Sequence, residues 1–350
     1  MDSLRQPPCE LHVECGGCKA MPWPEAQQVA RKAASVAALL ERAVDEVNAS
    51  PRSLAYRARI SMKTNAEGVL GYFQPRSHRW VGIPVCAIAR PEINAVLERL
   101  PALPGLPVVE LRSDGSQVVM AASTRMRGKG RARAAAKRDL QERLRGLDLQ
   151  QLGLSGVCLD GKRLSGECRL QLEVCGISHR LGPTSFFQVN LEVNEMLVEK
   201  VVARVEAAAP TTVLDLYAGA GNLSLPLAAR GLRTVLIEQS ASSVADAQAT
   251  IERHGLDATV RRGDAGSLRA GEEFFDVALL DPPRAGAPGL IPELLLTRPR
   301  LLIYVSCNPA TLARDIGPAR EAGYQISRLE VFDMFPQTDH IETLCVLERG

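Results

Sequence analysis

The feature that most constrains this chain is the regular exchange of strand and helix patterns after residue 190. Apolar runs of strand length recur at Val213–Tyr217, Thr234–Glu238, Ala258–Arg261, Asp276–Asp281 and Leu301–Ser306, then at Ile326–Phe332 and Thr343–Leu347. Helical patterns fill the gaps at Leu191–Ala208, Leu223–Arg230, Ser242–His254, Gly289–Leu295 and Pro309–Ala322. Strands separated by helices cannot pair as hairpins. The pattern therefore predicts an α/β domain with a mostly parallel, seven-stranded sheet and helices on both faces. Sheets of this kind bind ligands at the carboxyl ends of their strands.

Residues 51–185 read differently. Tyr56–Lys63 alternates, Gly68–Phe73 forms a second run, and Val108–Ala122 suggests a hairpin around Ser113–Ser116. Short strands follow at Val157–Leu159 and Leu170–Val174, which predicts a small antiparallel, β-rich domain with an inserted helix. Ahead of it, Glu25–Glu46 reads as one amphipathic helix with Val29, Ala33, Val36 and Leu40 on its apolar stripe. Three parts are expected: 1–50, a cysteine segment and helix; 51–185, a β-rich central domain; and 186–350, the α/β domain.

The chain has 350 residues, 46% hydrophobic, and a net charge of +2, so bulk charge announces no polyanionic partner. It carries no signal-peptide pattern and no membrane-length apolar run, which predicts a cytoplasmic protein that keeps its thiols reduced. Nine cysteines then call for chemistry. Cys9, Cys15 and Cys18 are closely spaced, with Gly16-Gly17 letting the backbone curl between the last two. A fourth ligand is sought among Cys86, Cys158, Cys168 and Cys175, with Cys86 favoured for its loop position. Four thiolates suit zinc or an iron–sulfur cluster, and one CxxC pair with two singles tilts the choice to [4Fe-4S]. A basic run spans Arg125, Arg127, Lys129, Arg131, Arg133, Lys137, Arg138, Arg143 and Arg145. It reads either as a solvated helix face or as a phosphate-contacting patch.

The α/β half carries the chemistry. Asp215-Leu216-Tyr217-Ala218-Gly219-Ala220-Gly221-Asn222 is a strand, a glycine turn and a helix start. Its third dinucleotide glycine is missing, and a lone G-x-G leaves NAD a live competitor of S-adenosylmethionine until the fourth strand is read. Glu238 ends the next strand, where a carboxylate accepts ribose hydroxyls. Asp281-Pro282-Pro283-Arg284 makes a rigid loop that hydride-transfer enzymes do not need. Cys307 ends a strand and is broken off by Asn308-Pro309, which places a thiol at the sheet edge, taken alone a buried structural cysteine and in the company of a methyl-donor pocket a nucleophile.

These stretches, with Phe186-Phe187-Gln188-Val189-Asn190, Ser306-Cys307-Asn308-Pro309-Ala310-Thr311 and Asp333–Glu342, resemble the successive motifs of the RNA uracil-5 methyltransferases. The resemblance implies a Rossmann-like (class I) S-adenosylmethionine-dependent fold. It implies Cys307 as the nucleophile that adds to carbon 6 of uracil and Glu342 as the base, with His340 its rival. It implies Gln188, Tyr217, Asn222, Glu238, Asp264 and Asp281 as cofactor ligands, while Asp215 orders the glycine loop. The set Cys9, Cys15, Cys18 and Cys86 is similar to the [4Fe-4S] ligands of bacterial 23S ribosomal RNA members, so 23S rRNA is the expected substrate and the transfer-RNA T-loop the second. The N-terminal β-barrel of some ribosomal RNA members is expected to be absent. Arg57 is a candidate contact to RNA phosphate or the target base. Cys158, Cys168, Cys175 and Cys345 are expected to be structural. The enzyme is expected to act as a monomer.

Overall fold

The computed structural model describes residues 4–124, 131–267 and 273–349. The chain forms two compact units. One comprises Met1–Pro24, Arg52–Gln171 and Leu181–Thr184; the other comprises Glu25–Pro51, Leu172–Arg180 and Ser185–Gly350. Helix Glu25–Leu40 thus groups with the C-terminal residues rather than with the cysteine segment.

The larger unit is built on an eight-stranded sheet. Its order is Glu46–Asn48, Tyr324–Phe332, Glu342–Arg349, Leu301–Ser306, Val277–Leu280, Thr212–Leu216, Arg233–Glu238 and Ala258–Arg262. Glu342–Arg349 runs antiparallel to both neighbours. Every other neighbouring pair is parallel. Parallel strands covered on both faces are apolar at every position. Leu214, Leu216, Leu280 and Tyr304 pack into one face, and Val213, Leu279, Ile303 and Val305 into the other. Helix Leu191–Ala207 covers the second face through Val198, Val201 and Val205.

The sheet has one strand more than the pattern predicts. The helix expected to reach Glu46 stops at Leu40, Glu41 turns left-handed at φ 51°, and Glu46–Asn48 joins the edge of Tyr324–Phe332. A three-residue edge strand carries too little periodicity to be seen, and its partner is remote in sequence. The helix still reaches the core, with Val36 and Leu40 among the buried residues around Tyr304 and Leu312.

The smaller unit holds a seven-stranded sheet in the order Trp80–Gly82, Leu70–Phe73, Arg59–Thr64, Val108–Ser113, Val118–Ser123, Gly156–Leu159 and Lys162–Gly166. It is not wholly antiparallel as expected. Val118–Ser123 and Gly156–Leu159 pair in parallel, because the connection between them includes helix Arg131–Arg145. Leu140 and Leu144 of that helix are buried with Ile93, Val96 and Met120. No helix among the described residues is long and apolar enough to cross a membrane.

Candidate active site

The large sheet reverses direction of growth between Thr212–Leu216 and Val277–Leu280. The carboxyl ends of strands flanking such a point open a crevice. Tyr217, directly after the first of them, has φ 61°, a conformation that costs a side-chain-bearing residue on the order of 1 kcal/mol or more and clusters at functional sites. The glycine turn that follows is tied to the neighbouring strand. Gly219 N–H donates to Glu238 Oε2 at 3.0 Å and Ser240 N–H donates to Glu238 Oε1 at 2.6 Å. Both oxygens of Glu238 keep a free lone pair for a hydroxyl.

The crevice is strongly acidic. Asp215 is buried at 1% exposure, and neither carboxylate oxygen has a hydrogen-bond partner among the described residues. Burial pushes its pKa up to about 8, the nearby Ser224 hydroxyl pulls it back, and Asp281 and Glu238 push it further. Asp281 is pushed up to about 7 by burial, against a hydrogen bond from buried Gln188. Four predicted cofactor residues therefore meet here: Gln188, Tyr217, Glu238 and Asp281. Asn222 ends the same turn, but its amide is held in a reciprocal 2.9 Å pair with Asn194. Asp264 is exposed and folds back on its own turn, accepting from Gly266 N–H at 3.0 Å. It still lies close enough to Tyr217 to raise that hydroxyl's pKa after burial has done so.

Cys307 follows Leu301–Ser306 and is half-buried. Its pKa is pushed up to about 11, first by burial and then by the negative charges of Glu342 and Asp281, while Arg284 pulls it down. Glu342 opens the antiparallel strand and is 2% exposed, with Oε1 lacking a partner among the described residues. Burial and then Asp281 hold its pKa well above the usual carboxylate range. A thiol, a buried carboxyl group and a second carboxyl group thus act on one another at one sheet edge. His340 is exposed, its ring set edge-on to Phe335.

The loop carrying Asp281 and Arg284 is braced from below. Asn308 Nδ2 donates to the Arg284 carbonyl at 3.1 Å, joining this loop to the residue after the thiol. Buried Asp315 accepts from Tyr304 Oη at 2.7 Å and from Ala287 N–H at 2.6 Å. Gly286 has φ 77°, and a Cβ there would stand 2.3 Å from Asp315 Oδ2, so only glycine fits the brace.

In the smaller unit, Cys15, Cys18 and Cys86 are each raised first by burial. Cys18, pushed up to about 12, is raised next by Cys86 and Cys15, and Cys9 acts on all three. Arg57 is the cation that pulls Cys18 and Cys86 down. It also lies over the Tyr56 ring at 5.9 Å. The predicted RNA contact is therefore placed beside the thiols. Backbone N–H groups of Ile88 and Ala89 donate to Cys86, and the Asn94 side chain grips the Cys86 backbone at both N–H and C=O. Gly16 caps its short helix at φ 66°, and a Cβ there would overlap Pro75 at 2.1 Å. As placed, no group of three or more Cys, His, Asp or Glu among the described residues converges enough to hold a metal ion.

The other four cysteines divide. Cys158, Cys168 and Cys345 are buried and Cys175 is half-buried. Of the basic run, residues 125–130 and the side chains of Arg131 and Arg133 lie outside the described residues. Lys137 pairs with Asp160, Arg143 pairs with Asp139 and donates to the Pro104 carbonyl, and Arg138 and Arg145 are exposed.

Several residues escape sequence reasoning. Arg284, Asn308 and Asp315 shape the reactive edge, yet only their motif neighbours carry an obvious chemical role. Gln28 and Lys32 are buried on the helix stripe that continues to Val36 and Leu40. Two polar residues at four-residue spacing on an apolar stripe were the available signal.

The sequence profile described as tRNA (uracil-5-)-methyltransferase matches residues 132–262 and 267–350. The chain is 33% identical to the 23S rRNA (uracil(1939)-C(5))-methyltransferase of Klebsiella pneumoniae strain 342, over 98% of this chain and 81% of that protein. It is equally similar to the protein of that description from Aeromonas hydrophila, at 33% over 98% and 82%. Its fold is that of the Pyrococcus abyssi tRNA (uracil-54, C5)-methyltransferase crystallised with S-adenosyl-L-homocysteine, with a TM-score of 0.77, 23% identity, and coverage of 95% of this chain and 85% of that one. These similarities set aside the NAD-dependent oxidoreductase reading, and the chain belongs to the RNA uracil-5-methyltransferase family.

Proposed function

We propose that the protein methylates carbon 5 of a uridine in 23S rRNA, with Cys307 as nucleophile and Glu342 as base. The observation that carries the reading is the edge where Glu342 and Asp281 both act on the Cys307 thiol and Asp281 acts on buried Glu342. The Cys307 thiol gives up its proton to solvent, its thiolate adds to carbon 6 of the ring, and the electrons of the 5,6 double bond move toward the carbonyl, which makes carbon 5 nucleophilic. Bound at this edge, S-adenosylmethionine would supply the electrophilic methyl group that carbon 5 accepts. Glu342 then takes the proton from carbon 5, the double bond re-forms and the thiolate leaves. A uridine stacked in a helix is out of reach of this edge, so the target is flipped out or already in a loop.

The chain's own residues fit that cofactor. It carries two positive centres, a sulfonium and an ammonium, and the crevice offers the buried Asp215 carboxyl group, neither of whose oxygens has a partner among the described residues. Gln188, Tyr217, Asn222, Glu238, Asp264 and Asp281 hold it, with Glu238 on the ribose. Arg138 and Arg145 contribute to the RNA surface. The enzyme works as a monomer in the cytoplasm.

Cys9, Cys15, Cys18 and Cys86 are proposed to hold a [4Fe-4S] cluster. The donor set suits it: four sulfurs, backbone N–H groups aimed at one of them, and a guanidinium nearby to offset the negative charge of a thiolate cluster. Its role is structural. Anaerobic purification should yield about four irons per chain with broad brown absorbance; zinc in their place would overturn the assignment.

The substrate is tested by incubating the enzyme and S-adenosylmethionine with unmodified 23S rRNA and tRNA and mapping 5-methyluridine by mass spectrometry. Label in 23S rRNA is expected. Label confined to the tRNA T-loop would overturn the rRNA reading in favour of the structural relative's substrate class.

A further inference from the structure

Glu342 is delivered by a loop that a helix near the N-terminus holds in place. Residues 333–341 join two antiparallel strands whose register sets Phe332 against Glu342. The sheet therefore fixes the Cα of Glu342. It does not fix the carboxylate, because Oε1 has no hydrogen-bond partner among the described residues. Such a group keeps its direction through the packing around it. The residues leading into it are packed: Met334, Gln337, Thr338 and Ile341 are all buried.

Helix Glu25–Leu40 grips this loop at two places, one helical turn apart. Lys32 Nζ lies 2.6 Å from Asp333 Oδ1 and donates to the Phe335 carbonyl at 3.1 Å. Both charged side chains of this pair are 6% exposed. Gln28 then holds Gln337 twice. Gln28 Nε2 donates to Gln337 Oε1 at 3.0 Å, and Gln28 Oε1 accepts from Gln337 N–H at 2.9 Å. Gln337 itself sits at φ 68°, a conformation that persists only where its surroundings enforce it. At the loop's start, Asp333 N–H donates to the Asn48 carbonyl at 2.9 Å.

We propose that Gln28 and Lys32 are positioning residues for proton abstraction: the helix sets loop 333–341, and the loop aims Glu342. The inference rests on Glu342 being the base. The two residues touch neither substrate nor cofactor and act at one step of the reaction. The rates of addition and methyl transfer depend on Cys307 and the crevice, which the clamp does not touch.

Two RNAs separate these steps. In RNA with ordinary uridine, slow proton abstraction leaves enzyme trapped as a covalent adduct. With 5-fluorouridine the proton step is blocked, so the rate of adduct formation reports only addition and methyl transfer. For Gln28→Leu and Lys32→Met, turnover should fall by about 10- to 100-fold, the size expected for a misplaced group. The trapped fraction on ordinary RNA should rise, and the 5-fluorouridine rate should stay within about threefold of wild type. A parallel fall of both rates, or unchanged turnover, overturns the proposal. Glu342→Gln is the control. If it fails to trap adduct on ordinary RNA, the base assignment falls and this proposal with it; if it traps adduct and the helix variants do not, only the helix proposal falls. Should Lys32→Met not fold, Gln28→Leu decides, since it strands no charge.

Discussion

Two clusters of buried acidic groups stand among the described residues, and they differ in what surrounds them. At the sheet edge, Asp215, Asp281 and Glu342 are held toward their neutral forms by burial, and Asp281 pushes the other two further. In the small unit, Cys15, Cys18 and Cys86 are held neutral the same way. Folding alone gains nothing from gathering such groups, and on the proposed reading each cluster takes a partner from outside the chain. The thiols have Arg57 beside them and are proposed to hold a static iron–sulfur cluster. The carboxylates share their edge with a reactive thiol and suit a sulfonium that comes and goes. On that proposal the same electrostatic pattern serves a structural site in one unit and a catalytic one in the other.

The comparison breaks most severely if the thiols are interchangeable. Cys307→Ala should reduce turnover by on the order of 10⁵-fold, as loss of a nucleophile does, with cofactor affinity unchanged by equilibrium dialysis. Cys18→Ser should instead lose iron and brown absorbance, and lose activity only in proportion to folded protein.

Next in size is the clamp on the catalytic loop. Lys32→Met leaves Asp333 buried and alone, which should cost about 3–5 kcal/mol of stability in denaturant titrations. Lys32→Met with Asp333→Leu should recover most of it, since replacing both charges removes the uncompensated one.

Arg284 sharpens the electrostatic side. It is the cation that lowers Cys307, so Arg284→Gln should move the alkaline rise of the single-turnover rate to higher pH and slow the reaction about tenfold or less at pH 7. The smallest effect concerns the unliganded protein. Asp215 and Asp281 have folded pKa values raised above the ordinary 3.8, to about 8 and about 7. A raised carboxyl pKa favours the fold below the unfolded value, and that contribution is lost as pH rises through the folded value. Thermal stability should therefore fall between pH 5 and about 8. Asp281→Asn should flatten the fall, and S-adenosylmethionine should oppose it.

The two sites were not equally readable. Strand Leu301–Ser306 ends where its β-branched run ends, and Cys307 follows it as expected. The carboxylates at strand ends were legible because their motifs are contiguous. The clamp was not: Lys32 and Asp333 are 301 residues apart, and no local pattern links them. Helix patterns also overran their real ends. Leu223–Arg230 contracts to Leu225–Ala228, and Pro309–Ala322 breaks into Pro309–Asp315 and Gly317–Glu321 at Gly317-Pro318. The large unit's eighth strand depends on a partner that no local window contains.

One measurement bears on the central assignment most directly. The enzyme is incubated with S-adenosylmethionine and 5-fluorouridine RNA, digested, and the RNA-linked peptide identified by mass spectrometry. Fluorine at carbon 5 cannot leave as a proton, so the account requires a stable methylated adduct on Cys307 and none in Cys307→Ala. No adduct, an adduct on another cysteine, or an undiminished one in the variant would contradict it.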